Sequence, residues 1–129
     1  MAPLIYLLED DASLRELLAE VLREELGARV EVSATMAELQ AYFAKGTPDL
    51  IVADFWGTSH LTLDDAERSE ITALTAIAPV VLVSARNWAL DAQACDFGLV
   101  ALLIKPLDID RFVVVLRAAL AATPLPGPS

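Results

Sequence analysis

Glu9 and Asp10 open the run EDD at positions 9–11, and Asp54 falls in DLIVADFWGTSH, Ser84 in VVLVSA and Lys105 in LLIKPL. Each stands at the carboxyl end of a short apolar run. Taken singly, they have ordinary explanations. Asp10 or Asp11 would cap a helix, Ser84 would end a strand, and Lys105 would be a solvated lysine before a turn proline. Together they form a different set. Clustered carboxylates raise one another's pKa unless a cation sits among them. With oxygen donors and no histidine or cysteine beside them, the cation is expected to be Mg²⁺, which needs only one or two carboxylates and keeps its waters. A cation and a lysine at one edge make a clamp for phosphate oxygens. Asp54 is then a nucleophile, a metal ligand or no more than a helix cap, and the elements that carry it have to decide.

Those elements are legible as an alternation. Apolar runs occur at 3–8, 28–32, 49–53, 79–84 and 100–104. The first helical segment carries Leu14, Leu17, Leu18, Val21, Leu22 and Leu26 at helical spacing and stops at Gly27. The second runs from Thr35 to Gly46. The third starts near Asp64 and Asp65, whose carboxylates suit a helix N-terminus, and runs towards Ala76. The fourth spans Trp88 to Phe97, and the fifth Asp108 to about Ala121. Runs that are apolar throughout fit parallel strands covered on both faces. The expectation is an α/β three-layer sandwich, a flavodoxin-like (βα)5 unit with parallel sheet order 2-1-3-4-5. Its ligand edge lies beyond the carboxyl ends of the strands, between the first and third, where Glu9, Asp10 and Asp54 fall.

Composition bounds the rest. The chain has 129 residues, 56% hydrophobic and 22% charged, as in a folded domain. Residues 1–122 are expected to form that domain and the Pro-rich 123–129 a tail. A formal net charge of -10 argues against nucleic-acid binding, which needs a positive surface. Cys95 has no disulfide or metal-site partner, and His60 is equally isolated, so both are read as non-functional. No apolar run approaches the ~20 residues of a membrane span, and a cytoplasmic protein is expected.

At this point four dispersed motifs come together: the acidic pair in LLEDDASLREL, the aspartate of DLIVAD, the hydroxyl-small pair of VVLVSA and the lysine-proline of LLIKPL. From about Pro3 to Ala121 the chain resembles a response-regulator receiver domain of two-component signalling. The resemblance implies that Asp54 accepts a phosphoryl group from the phosphohistidine of a histidine kinase or phosphotransfer protein. It implies that Glu9 and Asp10 hold Mg²⁺ with Asp54 and the backbone carbonyl of Trp56, and that Ser84 and Lys105 contact the phosphoryl oxygens. It implies a stand-alone signalling protein whose only catalysis is its own phosphorylation and dephosphorylation. In such domains the Lys105–Pro106 bond is typically cis.

The pattern also departs from the family. Gly57-Thr58 stands where Met-Pro is usual, and Leu102 where an aromatic residue often sits. A receiver-like scaffold that binds partners without phosphorylation is therefore the alternative. DFWGTS further resembles the D-x-D-G-T signature of haloacid-dehalogenase-type phosphatases, but there a second aspartate, two residues on, moves protons. Trp56 cannot do that, and that signature follows a first strand rather than a third. The partner surface implied by the resemblance is the face of the fourth helical segment, fifth strand and fifth helical segment, used for a homodimer or a downstream protein. In the fifth segment Ile109, Phe112, Val113, Leu116 and Leu120 form the core stripe, and Val114 and Val115 fall outside it.

Overall fold

The structure, a computed structural model, describes residues 2–54, 65–84, 98–105 and 107–122. The elements in chain order are β1 (Leu4–Leu8), α1 (Ala12–Leu26), β2 (Arg29–Ser33), α2 (Met36–Phe43), β3 (Leu50–Asp54), α3 (Asp65–Ile77), β4 (Val80–Ser84), β5 (Ala101–Ile104) and the C-terminal helix α4 (Ile109–Ala122). The helix expected over 88–97 lies outside the described residues.

All five strands are parallel and hydrogen-bonded in the order β2-β1-β3-β4-β5, as expected. The unbroken apolar runs follow from covering on both faces. Ile5 and Leu7 of β1 pack with Leu18 and Leu22 of α1 and with Phe112 and Leu116 of α4. Their neighbours Tyr6 and Leu8 point the other way and pack with Leu39 of α2 and Ile71 and Leu74 of α3. The two-residue period of a strand thus feeds two cores on opposite sides of one sheet.

Local signals set most element ends. Asp11 caps α1, its Oδ1 accepting from Leu14 N at 3.0 Å, and Gly27 closes the helix with a left-handed φ of 62°. Thr35 caps α2, its Oγ1 accepting from Glu38 N, and the Glu38 carboxylate accepts from Ala34 N, one residue before the cap, a variant of the capping box. α2 nevertheless stops at Phe43, short of the expected Gly46. The Tyr6 hydroxyl lies 3.0 Å from the Tyr42 carbonyl and 2.8 Å from the Gly46 carbonyl, so a strand residue holds the acceptors there.

The C-terminal helix corrects one expectation. Phe112, Val113 and Leu116 are buried, but Val115 also packs against the core, half-buried. Only Val114 stands outside the stripe, 64% exposed. Among the described residues no helix is long and apolar enough to cross a membrane.

Candidate functional site

The order β2-β1-β3 sets the ends of β1 and β3 side by side, with Leu8 paired to Ala53. Asp54 is the last residue of β3 and Glu9 the first after β1. Glu9 keeps the strand's course, its amide donating to the Ser33 carbonyl at 3.0 Å, and it is only 1% exposed. Asp54 is 8% exposed and Asp10 is exposed. One carboxylate oxygen from each of Glu9, Asp10 and Asp54 lies within 4.8 Å of the others. The capping question is thereby answered: Asp11 caps the helix, and Asp10 has no part in the cap.

Lys105 arrives from the far side. Its amide donates to the Ser84 carbonyl at 2.9 Å, extending the β4–β5 ladder by one residue. Its Nζ then stands 3.0 Å from Asp54 Oδ2 and 3.2 Å from Glu9 Oε2. Ser84 ends β4 fully buried, one residue beyond the Asp54–Val83 pair. The structure therefore brings Glu9, Asp10, Asp54 and Lys105 together and sets Ser84 on the adjacent strand end. Trp56 and Pro106, with the bond preceding it, lie outside the described residues, as do His60 and Cys95.

The repulsion expected of clustered acids falls on Glu9. Burial first, and the charge of Asp54 second, push its carboxyl up from 4.5 to about 7. The Asp11 amide and Lys105 oppose this without cancelling it. Burial alone would lower the Lys105 ammonium, but the hydrogen bond and charge of Asp54, with Glu9 behind them, outweigh it and raise its pKa. Among the described residues the cluster of three carboxylates thus meets one ammonium, which contacts Glu9 and Asp54. An oxygen-only donor set with a negative excess, partly buried, fits a hard divalent cation.

Two residues that shape the site carried no chemical signal in the sequence. Ser33 Oγ donates to the Leu7 carbonyl at 2.8 Å, and Arg15 Nη1 donates to the Glu9 carbonyl at 3.0 Å. The only hint was position, since Arg15 lies one turn past the cap, on the same helix face as Asp11.

No family model matches the chain. Over 118 residues, 91% of the chain, it is 30% identical to the DNA-binding transcriptional regulator NtrC of Rhizobium meliloti (strain 1021), and spans 24% of that protein's length. NtrX from Brucella abortus superposes with a TM-score of 0.76 at 22% identity, over 95% of this chain and 27% of that one. A response regulator from Thermotoga maritima gives a TM-score of 0.78 at 14% identity, over 95% of this chain and 100% of its own. A response regulator receiver protein from Burkholderia phymatum gives 0.71 at 23%, over 95% and 99%. These superpositions each take in 95% of this chain, and the fold is that of response-regulator receiver domains.

Proposed function

We propose that this chain works as a receiver, taking a phosphoryl group onto Asp54 from a histidine kinase or phosphotransfer protein and switching a protein–protein contact in response. The observation that carries this reading is the contact of Lys105 Nζ with a nearly buried Asp54, beside the oxygens of Glu9 and Asp10. A buried carboxylate held at a strand end and faced by an ammonium is a poised nucleophile with a charge partner for the incoming oxygens.

In the transfer an Asp54 oxygen attacks phosphorus, the phosphorus–nitrogen bond of the phosphohistidine breaks, and the imidazole leaves with the bonding pair. Such in-line displacements depend mainly on positioning and on neutralising the equatorial oxygens. Lys105 neutralises one side and donates a hydrogen bond, while Ser84, at the adjacent strand end, meets a phosphoryl oxygen through its hydroxyl. Glu9, Asp10 and Asp54, with the Trp56 carbonyl, would hold Mg²⁺, which when bound supplies positive charge against those same oxygens. The aspartyl phosphate adds charge and acceptor oxygens that the strand ends can follow.

Incubation with acetyl phosphate and Mg²⁺, followed by intact mass measurement, tests this. One added phosphate is expected on the wild-type chain and none on Asp54→Asn or with excess chelator. Phosphate on Asp54→Asn would move the acceptor elsewhere. A wild-type chain that never gains phosphate would leave the interaction scaffold as the surviving reading.

The partner surface is assigned to the C-terminal helix around Val114, the most exposed large apolar side chain among the described residues. Val114→Lys should keep phosphorylation at Asp54 and weaken self-association in sedimentation by about 1–2 kcal/mol, roughly tenfold. A wild-type chain that stays monomeric at high concentration, phosphorylated or not, excludes the homodimer and leaves a different protein as the partner.

A further inference from the structure

We propose that Arg15 is a positioning residue for the acidic pair, and that it sets the site's affinity for a divalent cation by pinning the main chain on both sides of Asp10. This deepens the reading of Glu9, Asp10 and Asp54 as a cation site and rests on it. Asp10 is the exposed member of that set, and its neighbours are what Arg15 holds. The Arg15 amide donates to the Asp11 carbonyl at 2.8 Å, and its Nη1 donates to the Glu9 carbonyl at 3.0 Å. One residue thus ties down both carbonyls that flank Asp10.

The Glu9 carbonyl needs that donor. Glu9 is 1% exposed, and β1 ends one residue earlier; among the described residues the donor to its carbonyl is the Arg15 guanidinium. A buried acceptor without a donor makes the chain seek another conformation. The rest of the segment is already fixed: the Glu9 amide by Ser33, the Leu7 carbonyl by Ser33 Oγ, and the Asp11 side chain by Leu14 N. Arg15 supplies the missing restraint. Among the described residues its guanidinium makes no ion pair with any of the acids that surround it on α1, so charge pairing does not account for where it sits. Groups that orient metal-binding side chains commonly matter for affinity nearly as much as the donors themselves.

Calorimetric titration of the full chain with magnesium chloride tests this, on wild type, Arg15→Met and Arg15→Lys, each well below its own melting temperature. Arg15→Met should bind about tenfold more weakly. Arg15→Lys keeps one donor and should recover part of that loss. In cation-free Arg15→Met the backbone amide signals of residues 9–11 should shift while those of β4 stay in place. Removing a positive charge would by itself tighten binding of a cation. Unchanged or tighter binding in Arg15→Met therefore overturns the proposal, and so does weakening accompanied by shifts across the whole sheet, which marks loss of fold. If the wild-type chain binds no Mg²⁺, the cation reading of the acidic cluster falls, and this inference falls with it.

Discussion

Lys105→Met should cost the cation-free protein about 3 kcal/mol of stability at pH 8 and about half that at pH 5, where only the lost pairing with Asp54 remains. Methionine keeps the apolar stem of the side chain and removes only the ammonium. That ammonium lies 3.0 Å from Asp54 and 3.2 Å from Glu9, whose side chains are 11% and 1% exposed. Without it two buried carboxylates face each other, and removing one partner of a buried ion pair is far costlier than removing both. The pH dependence follows from what each group can do. Lys105 has a raised pKa, so its own contribution is complete below the ordinary lysine value and is lost only as pH climbs through the higher folded one. It is constant between pH 5 and 8. Glu9, in contrast, already holds its proton to about 7, and loss of Lys105 would lift that further. At pH 5 Glu9 is neutral in wild type and variant alike; at pH 8 the variant, holding that proton, loses up to one pKa unit more than wild type (8 less 7), about 1.4 kcal/mol. Urea unfolding in chelator at the two pH values measures the difference. An equal loss at both would mean that the cost arises at Asp54 or from packing and not from ionised Glu9, and no loss at either would mean that the carboxylates do not rely on Lys105.

The architecture was open to sequence reading because each signal was local and redundant. Five apolar runs, each bounded by a turn residue or a cap, leave a parallel sheet with covered faces as the simplest solution, and Gly27, Thr35 and Asp108 mark their boundaries by chemistry of their own. The site was open for a related reason: strand ends in one order must bring Glu9, Asp54 and Lys105 together. What stayed hidden depended on contacts between distant residues. Three acids in a row are alike as letters, and only burial separates Glu9, which carries the repulsion, from Asp10, exposed, and Asp11, the cap. The early end of α2 falls where a tyrosine hydroxyl on β1 meets the Tyr42 and Gly46 carbonyls, a contact between distant residues. Val114 and Val115 both fall outside the core stripe, but Val115 follows that stripe's flank three residues after Phe112 and packs against the core, while Val114 faces solvent. Arg15 is invisible as a site residue because its work is a bond to a main-chain carbonyl, which any sequence supplies.

Glu9→Gln should do the opposite of Lys105→Met: stabilise the cation-free protein at pH 8 while weakening Mg²⁺ binding. In the folded chain Glu9 keeps its proton to about pH 7 against an ordinary value of 4.5. Between those values the folded state binds the extra proton and the unfolded state does not. Wild-type stability therefore falls as pH rises from about 4.5 to 7 and levels off above. Above that window the cost of ionising Glu9 in place is fully present. Glutamine never ionises, so its curve lacks that slope. Its carbonyl oxygen, placed at Oε1, can still accept from the Asp11 amide at 3.2 Å and from Lys105 at 3.4 Å. An NH2 group replaces Oε2, which in wild type accepts from Lys105 at 3.2 Å, and bonds to a neutral acceptor are weaker than to a carboxylate. Allowing for that loss, the gain at pH 8 should be about 2 kcal/mol, shrinking towards zero at pH 5. Addition of Mg²⁺ should reverse the ranking. A ligand that binds only the folded state stabilises it according to its affinity, and the variant has given up one anionic donor. The measurement is a set of unfolding curves at pH 5 and 8, in chelator and in Mg²⁺. A variant less stable than wild type at pH 8 in chelator would mean that Lys105 and the Asp11 amide outweigh burial and Asp54, and that Glu9 is an asset to the fold rather than a strain held for binding.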